Sequence, residues 1–378
     1  MSLSVDIRHR LSAFSLGTVF ETGGRLTALF GPSGSGKTSL VNLISGLLRP
    51  DSGRIVAGGR VLVDTKAGIF VPKHRRRIGY VFQDARLFPH MTVSQNLRFG
   101  RFFTPSGERY SEWDSVTHLL GIGHLLDRQP TSLSGGERQR VAIGRALLAS
   151  PRLILMDEPL ASLDDRRKAE IMPYIERLRD ETGIPIVYVS HSVAEVARLA
   201  TDMVVLDEGR VAAAGPTSEI LQRLDLLPEE ERGEGGAVLD MRVTSRDEAF
   251  GMSTLASAAG EIHVAGLKAA PGSTVRLRIR ARDVIIATER PRGISALNIL
   301  PGRIAGVASG DGHFADVSID CNGEIVSARI TRQSAEMLGL VPDLPVFAVV
   351  KSVTFDRANT APAAASDTSH ETVANEVG

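Results

Sequence analysis

The chain has 378 residues, 43% of them apolar, and its 44 lysines and arginines offset 44 aspartates and glutamates. This length suits about two or three domains, and the balanced charge argues against a broad nucleic-acid footprint. A lone cysteine, Cys321, excludes an internal disulfide or a thiolate metal cage, so the chain reads as intracellular and reduced.

Cys321 itself reads as a strand residue, because no helix start or histidine lies beside it. No stretch approaches the ~18–20 continuous apolar residues that cross a bilayer. The N-terminal MSLSVDIRHRLSAF carries neither a long apolar core nor a small-residue cleavage site, so no leader peptide is expected. Membrane association is expected only through docking onto another protein.

Residues 1–230 alternate short apolar runs with helical stretches. The runs Leu26–Phe30, 78–82, 153–156 and Ile186–Val189 are rich in β-formers, and several are apolar on both faces. Strands of a parallel sheet covered by helices should look like this. The first of them leads into Gly31-Pro32-Ser33-Gly34-Ser35-Gly36-Lys37-Thr38, which fits G-x-x-x-x-G-K-[ST] and opens a helix. Its glycines let backbone N–H groups wrap phosphates, and the helix N-terminus favours negative charge. Lys37 would reach the β- and γ-phosphates, and the Thr38 hydroxyl would bind Mg²⁺. The run 153–156 ends in Asp157-Glu158, two carboxylates at the edge where open parallel sheets bind ligands. Asp157 would hold Mg²⁺ through water, and Glu158 would orient and deprotonate the attacking water.

The segment 228–236 (PEEERGEGG) is acidic, glycine-rich and aperiodic, and reads as a linker. Beyond it the period becomes two: Val275, Leu277 and Ile279 alternate with arginines, and Ala315, Val317 and Ile319 alternate with polar residues. Residues 237–357 therefore read as a small β-barrel region. A weak echo links 275–281 with 346–352, each shortly after a Gly-Leu pair, and leaves open a duplication of two half-modules. The expected boundaries are an ATPase domain over 1–232, a linker with a first β half-module over 233–291, a second barrel over 292–357, and a disordered tail over 358–378.

Leu133-Ser134-Gly135-Gly136-Glu137 resembles the LSGGQ signature of ATP-binding cassette (ABC) proteins, with glutamate in place of glutamine. The resemblance implies that Ser134, Gly135 and Gly136 face the glycine loop of a second copy, so that a homodimer completes each ATP site. Further landmarks follow the family's order. Gln83 resembles the Q-loop residue that contacts Mg²⁺ and senses the membrane subunit, Ala161-Ser-Leu-Asp164 the D-loop, and His191 the switch histidine that contacts the γ-phosphate. The family also stacks an aromatic ring on adenine. Phe14 and Phe20 are both candidates, and the platform stays unassigned. In the family, 84–97 helps form the groove for a short permease helix. His9, His74, His90, His118, His124, His263 and His313 form no spaced ligand set, and the run 73–77 reads as a solvated basic face.

Ile294-Ser295-Ala-Leu297-Asn298-Ile-Leu-Pro-Gly302 resembles the opening of a molybdate-binding Mop-type barrel, closed by Val350-Lys351-Ser352. That likeness implies Ser295, Asn298, Lys351 and Ser352 as oxyanion contacts, for a regulatory molybdate or tungstate. Leu297 stands where the family has an arginine. The chain is thus expected to be a P-loop α/β ATPase with a helical subdomain and a C-terminal OB-like barrel. Its expected setting is the cytoplasmic face of the inner membrane, bound to permease subunits and, through them, to a substrate-binding protein. It would use ATP and Mg²⁺ to drive molybdate uptake. Another solute (sulfate, tungstate, a sugar or a polyamine) or a soluble non-transport role is the alternative.

Overall fold

The structure is a computed structural model and describes residues 3–11, 14–267, 269–309 and 312–351. The chain forms two compact units. The first takes Met1–Ala237 with Arg280–Arg282, and the second takes Val238–Ile279 and the chain from Asp283 onward.

Eleven strands build the sheet of the first unit: β1 (Leu3–Leu11), β2 (Phe14–Thr22), β3 (Leu26–Phe30), β4 (Ser52–Ala57), β5 (Arg60–Asp64), β6 (Ile69–Phe70), β7 (Ile78–Val81), β8 (Leu153–Asp157), β9 (Ile186–Val189), β10 (Asp202–Asp207) and β11 (Arg210–Pro216). Their order is β6-β5-β4-β1-β2-β11-β10-β3-β9-β8-β7. The strands β10, β3, β9, β8 and β7 run parallel, and the β1 side is largely antiparallel. All residues of β3 and β9 are buried, as the doubly apolar runs require. The run expected over 78–82 pairs only as far as Val81.

Register decides where the chemistry goes. Leu29 and Asp157 both pair with Val189, and Met156 pairs with Val81. The C-terminal ends of β3, β9, β8 and β7 therefore lie side by side on one edge. The glycine loop, Gln83, Glu158 and His191 all follow strand ends at that edge.

The helices of this unit are α1 (Lys37–Ser45), α2 (Val93–Phe102), α3 (Trp113–Leu119), α4 (Gly135–Leu148), α5 (Asp165–Glu181), α6 (Val193–Leu199) and α7 (Thr217–Gln222). Helix α1 buries Leu40, Val41, Leu43 and Ile44 against Leu29, Leu155 and Val187 of the sheet. Trimming one such leucine to alanine costs about 2–5 kcal/mol. Helices α2 and α3 pack on α4 and form the helical subdomain between β7 and β8.

Two local expectations change. Within 73–77, Lys73, His74 and Arg75 are exposed, but Arg76 is 2% exposed. Its guanidinium donates to Leu43 O and Ile44 O at the end of α1 and to Val71 O. Carbonyls at a helix C-terminus attract a cation, so Arg76 is a cap rather than part of a solvated face. The aperiodic 228–236 segment is also bonded. Glu229–Glu231 form a 3-10 turn, Ala281 N–H donates to Gly235 O and Arg282 N–H donates to Gly233 O. Such backbone bonds need no apolar period, and the division between the two units falls just after the segment, at Ala237.

Among its described residues the second unit is built of strands and one helix, α8 (Arg332–Met337). Its strands are β12 (Gly236–Asp247), β13 (Met252–Ser257), β14 (Gly260–Ala265), β15 (Thr274–Arg280), β16 (Val284–Ala287), β17 (Asn298–Ser309), β18 (Phe314–Cys321), β19 (Glu324–Thr331) and β20 (Pro345–Val350). They form sheets ordered β14-β13-β12-β15 and β16-β20-β17-β18-β19. In each, a long strand starts a three-strand meander and a fourth strand returns to the far side of the first, the Greek-key order. Both long strands carry a register shift, at Val243/Ser245 and at Ile304/Gly306. The sequence echo falls on the two returning strands, β15 and β20. Cys321 is buried in β18 with its thiol pushed up to about 11 by burial. Ser352 and the tail expected over 358–378 lie outside the described residues.

Candidate nucleotide site

The glycine loop owes its shape to two positions. Gly36 caps α1 at φ 101°, and Gly31 at φ 146° passes so close to the backbone that a Cβ would lie 2.0 Å from Leu206 O. No side chain caps α1, so its first amides point into the loop without an intrahelical acceptor. The buried hydroxyl of Ser35 also has no hydrogen-bond partner among the described residues. The result is a cradle of donors suited to a polyphosphate. Lys37 is 5% exposed, and its ammonium donates to Gly31 O and Pro32 O, both at 2.8 Å. Burial lowers its pKa, and the carboxylates of Glu158 and Asp157 oppose that shift.

At the end of β8, Asp157 meets two hydroxyls. Thr38 Oγ1 lies 3.3 Å from Asp157 Oδ1, and the Tyr80 hydroxyl lies 3.2 Å from Asp157 Oδ2. Tyr80 also reaches Asn42 Oδ1 at 3.3 Å, so its one proton serves either acceptor. Burial raises the Asp157 pKa, while the Tyr80 and Thr38 bonds and Lys37 restrain it. One hydroxyl and one carboxylate beside a phosphate cradle match the sparse protein donor set that Mg²⁺ takes with a nucleotide. Gln83 does not join them. It is exposed past the end of β7 and makes no hydrogen bond to Thr38 or Asp157. Tyr80 had no motif to announce it. It comes to Asp157 because β7 pairs with β8.

Glu158 adopts φ 45°, a left-handed conformation that costs a non-glycine residue about 1 kcal/mol or more. Its N–H donates to Val189 O at 3.2 Å, which holds the turn. The carboxylate Oε2 lies 3.6 Å from His191 Nδ1. Lys37, Thr38, Asp157, Glu158 and His191 thus gather at one edge.

Beside the glycine loop lies a cleft of about 1350 Å³, walled by Phe14 and Leu16 of β2, by Pro32, Ser33 and Gly34, and by Glu208. Phe14 approaches Gly36, where an added Cβ would lie 3.1 Å from its ring. Phe20 is 6% exposed in the core beneath the sheet. Of the two, Phe14 lines the cleft and Phe20 does not.

The signature sits elsewhere. Ser134 is the N-cap of α4 in a reciprocal capping box, with Ser134 Oγ accepting from Glu137 N–H and Glu137 Oε2 accepting from Ser134 N–H at 2.7 Å. That backbone bond is the main reason the Glu137 pKa is lowered. Glutamate in place of glutamine keeps the box and adds charge. Ser134 is exposed, and it opens with Gly136, Arg140, Arg167 and Tyr174 onto a separate cavity of about 610 Å³. No hydrogen bond among the described residues joins Ser134, Gly135 or Gly136 to the glycine loop of the same chain.

In the second unit the expected oxyanion residues part company. Asn298 is 0% exposed. Its Oδ1 accepts from His263 N–H at 2.7 Å and its Nδ2 donates to His263 O at 3.2 Å. It clips β17 to β14, its side-chain amide taken up by the His263 backbone. Ser295 and Lys351 are exposed, and Leu297 is 58% exposed. Asn298 pairs with Val350, so Leu297 and Lys351 follow at the same end of the sheet.

A glycine-loop site on a chain whose signature opens onto a separate cavity belongs to the ATP-binding cassette class of P-loop ATPases. A family model described as ABC transporter matches residues 21–161, and one described as TOBE domain matches residues 294–354. The molybdenum import ATP-binding protein ModC of Mesorhizobium japonicum is 69% identical over 360 residues, covering 95% of this chain and 97% of that one. The protein of the same name from Rhizobium etli is 55% identical over 356 residues, covering 94% and 100%. Among solved structures, cbiO1 from Clostridium perfringens, part of the ABC transporter complex cbiONQ, aligns at a TM-score of 0.50 with 29% identity, over 61% of this chain and 96% of that one. The chain belongs to the family of molybdenum import ATP-binding proteins ModC.

Proposed function

We propose that the chain is the ATP-hydrolysing subunit of a molybdate importer, working as a homodimer on the cytoplasmic face of the inner membrane beneath permease subunits that meet a substrate-binding protein. One observation carries the ATPase reading: Lys37, Thr38, Asp157, Glu158 and His191 converge at in-register strand ends, while Ser134 faces a different cavity of the same chain. Among the described residues no helix is long and apolar enough to cross a membrane, which suits a subunit that docks onto a permease.

ATP binds with its adenine on Phe14 and its phosphates in the 31–38 loop. Lys37 leaves the Gly31 and Pro32 carbonyls for the β- and γ-phosphates. Thr38 and Asp157 would hold Mg²⁺, which would neutralise charge on those phosphates, and Gln83 reports on the site to the permease. Ser134, Gly135 and Gly136 of a second copy close over the γ-phosphate. Glu158 orients the attacking water and takes its proton, and His191 donates to the γ-phosphate as charge builds. Closure drives the permease, and phosphate release reopens the pair. The test is Glu158→Gln in the full-length chain. ATP should then hold a stable dimer with turnover lowered at least ~10². Near-normal turnover would remove Glu158 from this role.

Regulatory binding of molybdate or tungstate in the second unit is a narrower reading. It is supported by the TOBE match and by exposed Lys351 and Ser295, with Asn298 serving only the scaffold. ATPase activity of the full complex should fall as molybdate is added, and Lys351→Ala should abolish that fall. An unchanged rate at saturating molybdate rejects it.

A further inference from the structure

Behind His191 lies a buried carboxylate that ATP cleavage, as described, does not use. Glu195 of α6 is 4% exposed. Its Oε2 accepts from the Tyr188 hydroxyl at 2.9 Å and from Ser190 Oγ at 2.8 Å, and its Oε1 lies 3.0 Å from Lys168 Nζ. The chain then closes a ring around the histidine. Ser192 N–H donates to Ser190 Oγ at 3.0 Å, and Glu195 N–H donates to Ser192 Oγ at 3.4 Å. Ser190 and Ser192 flank His191, so one neighbour of the histidine is bonded to the carboxylate and the other is linked to it through the Ser190 hydroxyl.

The carboxylate's third contact, Lys168, lies one turn into α5. The N-cap of that helix is Asp164, the last residue of the 161–164 loop. The ion pair is largely shielded, with side-chain exposures of 20% for Lys168 and 6% for Glu195. A buried pair is a costly way to gain stability alone, and its best attested use is to fix register. Here it registers the helix that starts at the 161–164 loop against the loop that carries His191.

We propose that Glu195 is a positioning residue for His191, and that the Lys168–Glu195 pair passes displacement of the 161–164 loop to that histidine. The inference rests on His191 acting at the γ-phosphate. Glu195→Gln keeps acceptors for Tyr188 and Ser190 but loses the ion pair. Lys168→Met removes the same pair from its more exposed side, which guards against misfolding of the first variant. Single-turnover ATP cleavage by the full-length chain should fall about tenfold in each, with the KM for ATP moved less than about twofold. In a His191→Ala background neither change should lower the rate further by more than about twofold, because the group they position is gone. Losses that multiply in that background, or that fall on KM or on Tm without touching kcat, overturn the proposal. If His191→Ala alone leaves cleavage at the wild-type rate, the underlying site reading has failed, and this inference goes with it.

Discussion

Asp157 and Asn298 are both polar residues at the end of a strand, and folding uses them in opposite ways. Asp157 ends a strand with parallel neighbours, and its carboxylate stays half-buried, met by Thr38 and Tyr80 at the mouth of a cradle. Asn298 begins a strand of an antiparallel sheet and turns inward, where the His263 backbone takes up its amide. In the first unit, four aligned strand ends bring motifs far apart in sequence to one edge. In the second, alternate residues face opposite sides, so adjacent members of one motif separate. Leu297 is exposed and Asn298 is not. A short motif is thus a safer guide to chemistry at a parallel edge than along an antiparallel strand.

Substitutions in the two units should sharpen that contrast. The largest effect belongs to Glu158→Gln, at least ~10² in single-turnover cleavage, with nucleotide affinity little changed. Lys37→Ala comes next. Losing a charged donor to phosphate costs about 1.5–3 kcal/mol, so nucleotide affinity measured by fluorescence titration should weaken by about 10- to 100-fold. In the second unit, Asn298→Ala should act on stability alone. It strands the buried His263 backbone groups and should lower unfolding free energy by about 1–3 kcal/mol in denaturant titration, while ATP cleavage stays within about twofold. A lost molybdate response without lost stability would instead return Asn298 to the ligand site. The smallest effect is the capping loss of Ser134→Ala, about 1 kcal/mol in thermal unfolding.

The contiguous motifs were legible because each chemical requirement is local: a loop that must turn tightly, a strand that must end in acid, a helix that must be capped. The parallel core was equally readable in runs such as Leu26–Phe30, fully buried as expected. What escaped depends on register or on tertiary neighbours. Tyr80 reaches Asp157 only through the pairing of β7 with β8, and Arg76 looks like its exposed neighbours until the end of α1 is placed against it. Choosing Phe14 over Phe20 required knowing which ring meets the glycine loop and which lies in the core. The echo between 275–281 and 346–352 was faint because mainly packing positions repeat, yet 275–280 and 346–350 each lie in a strand that returns beside a long first strand.

The central claim is that the phosphate site is finished by a second copy of the chain. Sedimentation of the full-length Glu158→Gln protein tests it most directly. ATP with Mg²⁺, and not ADP, should convert the chain to a dimer, and adding Ser134→Arg should abolish the dimer while each chain still binds nucleotide. ATP that leaves the protein's mass unchanged, or a dimer indifferent to Ser134→Arg, would contradict it.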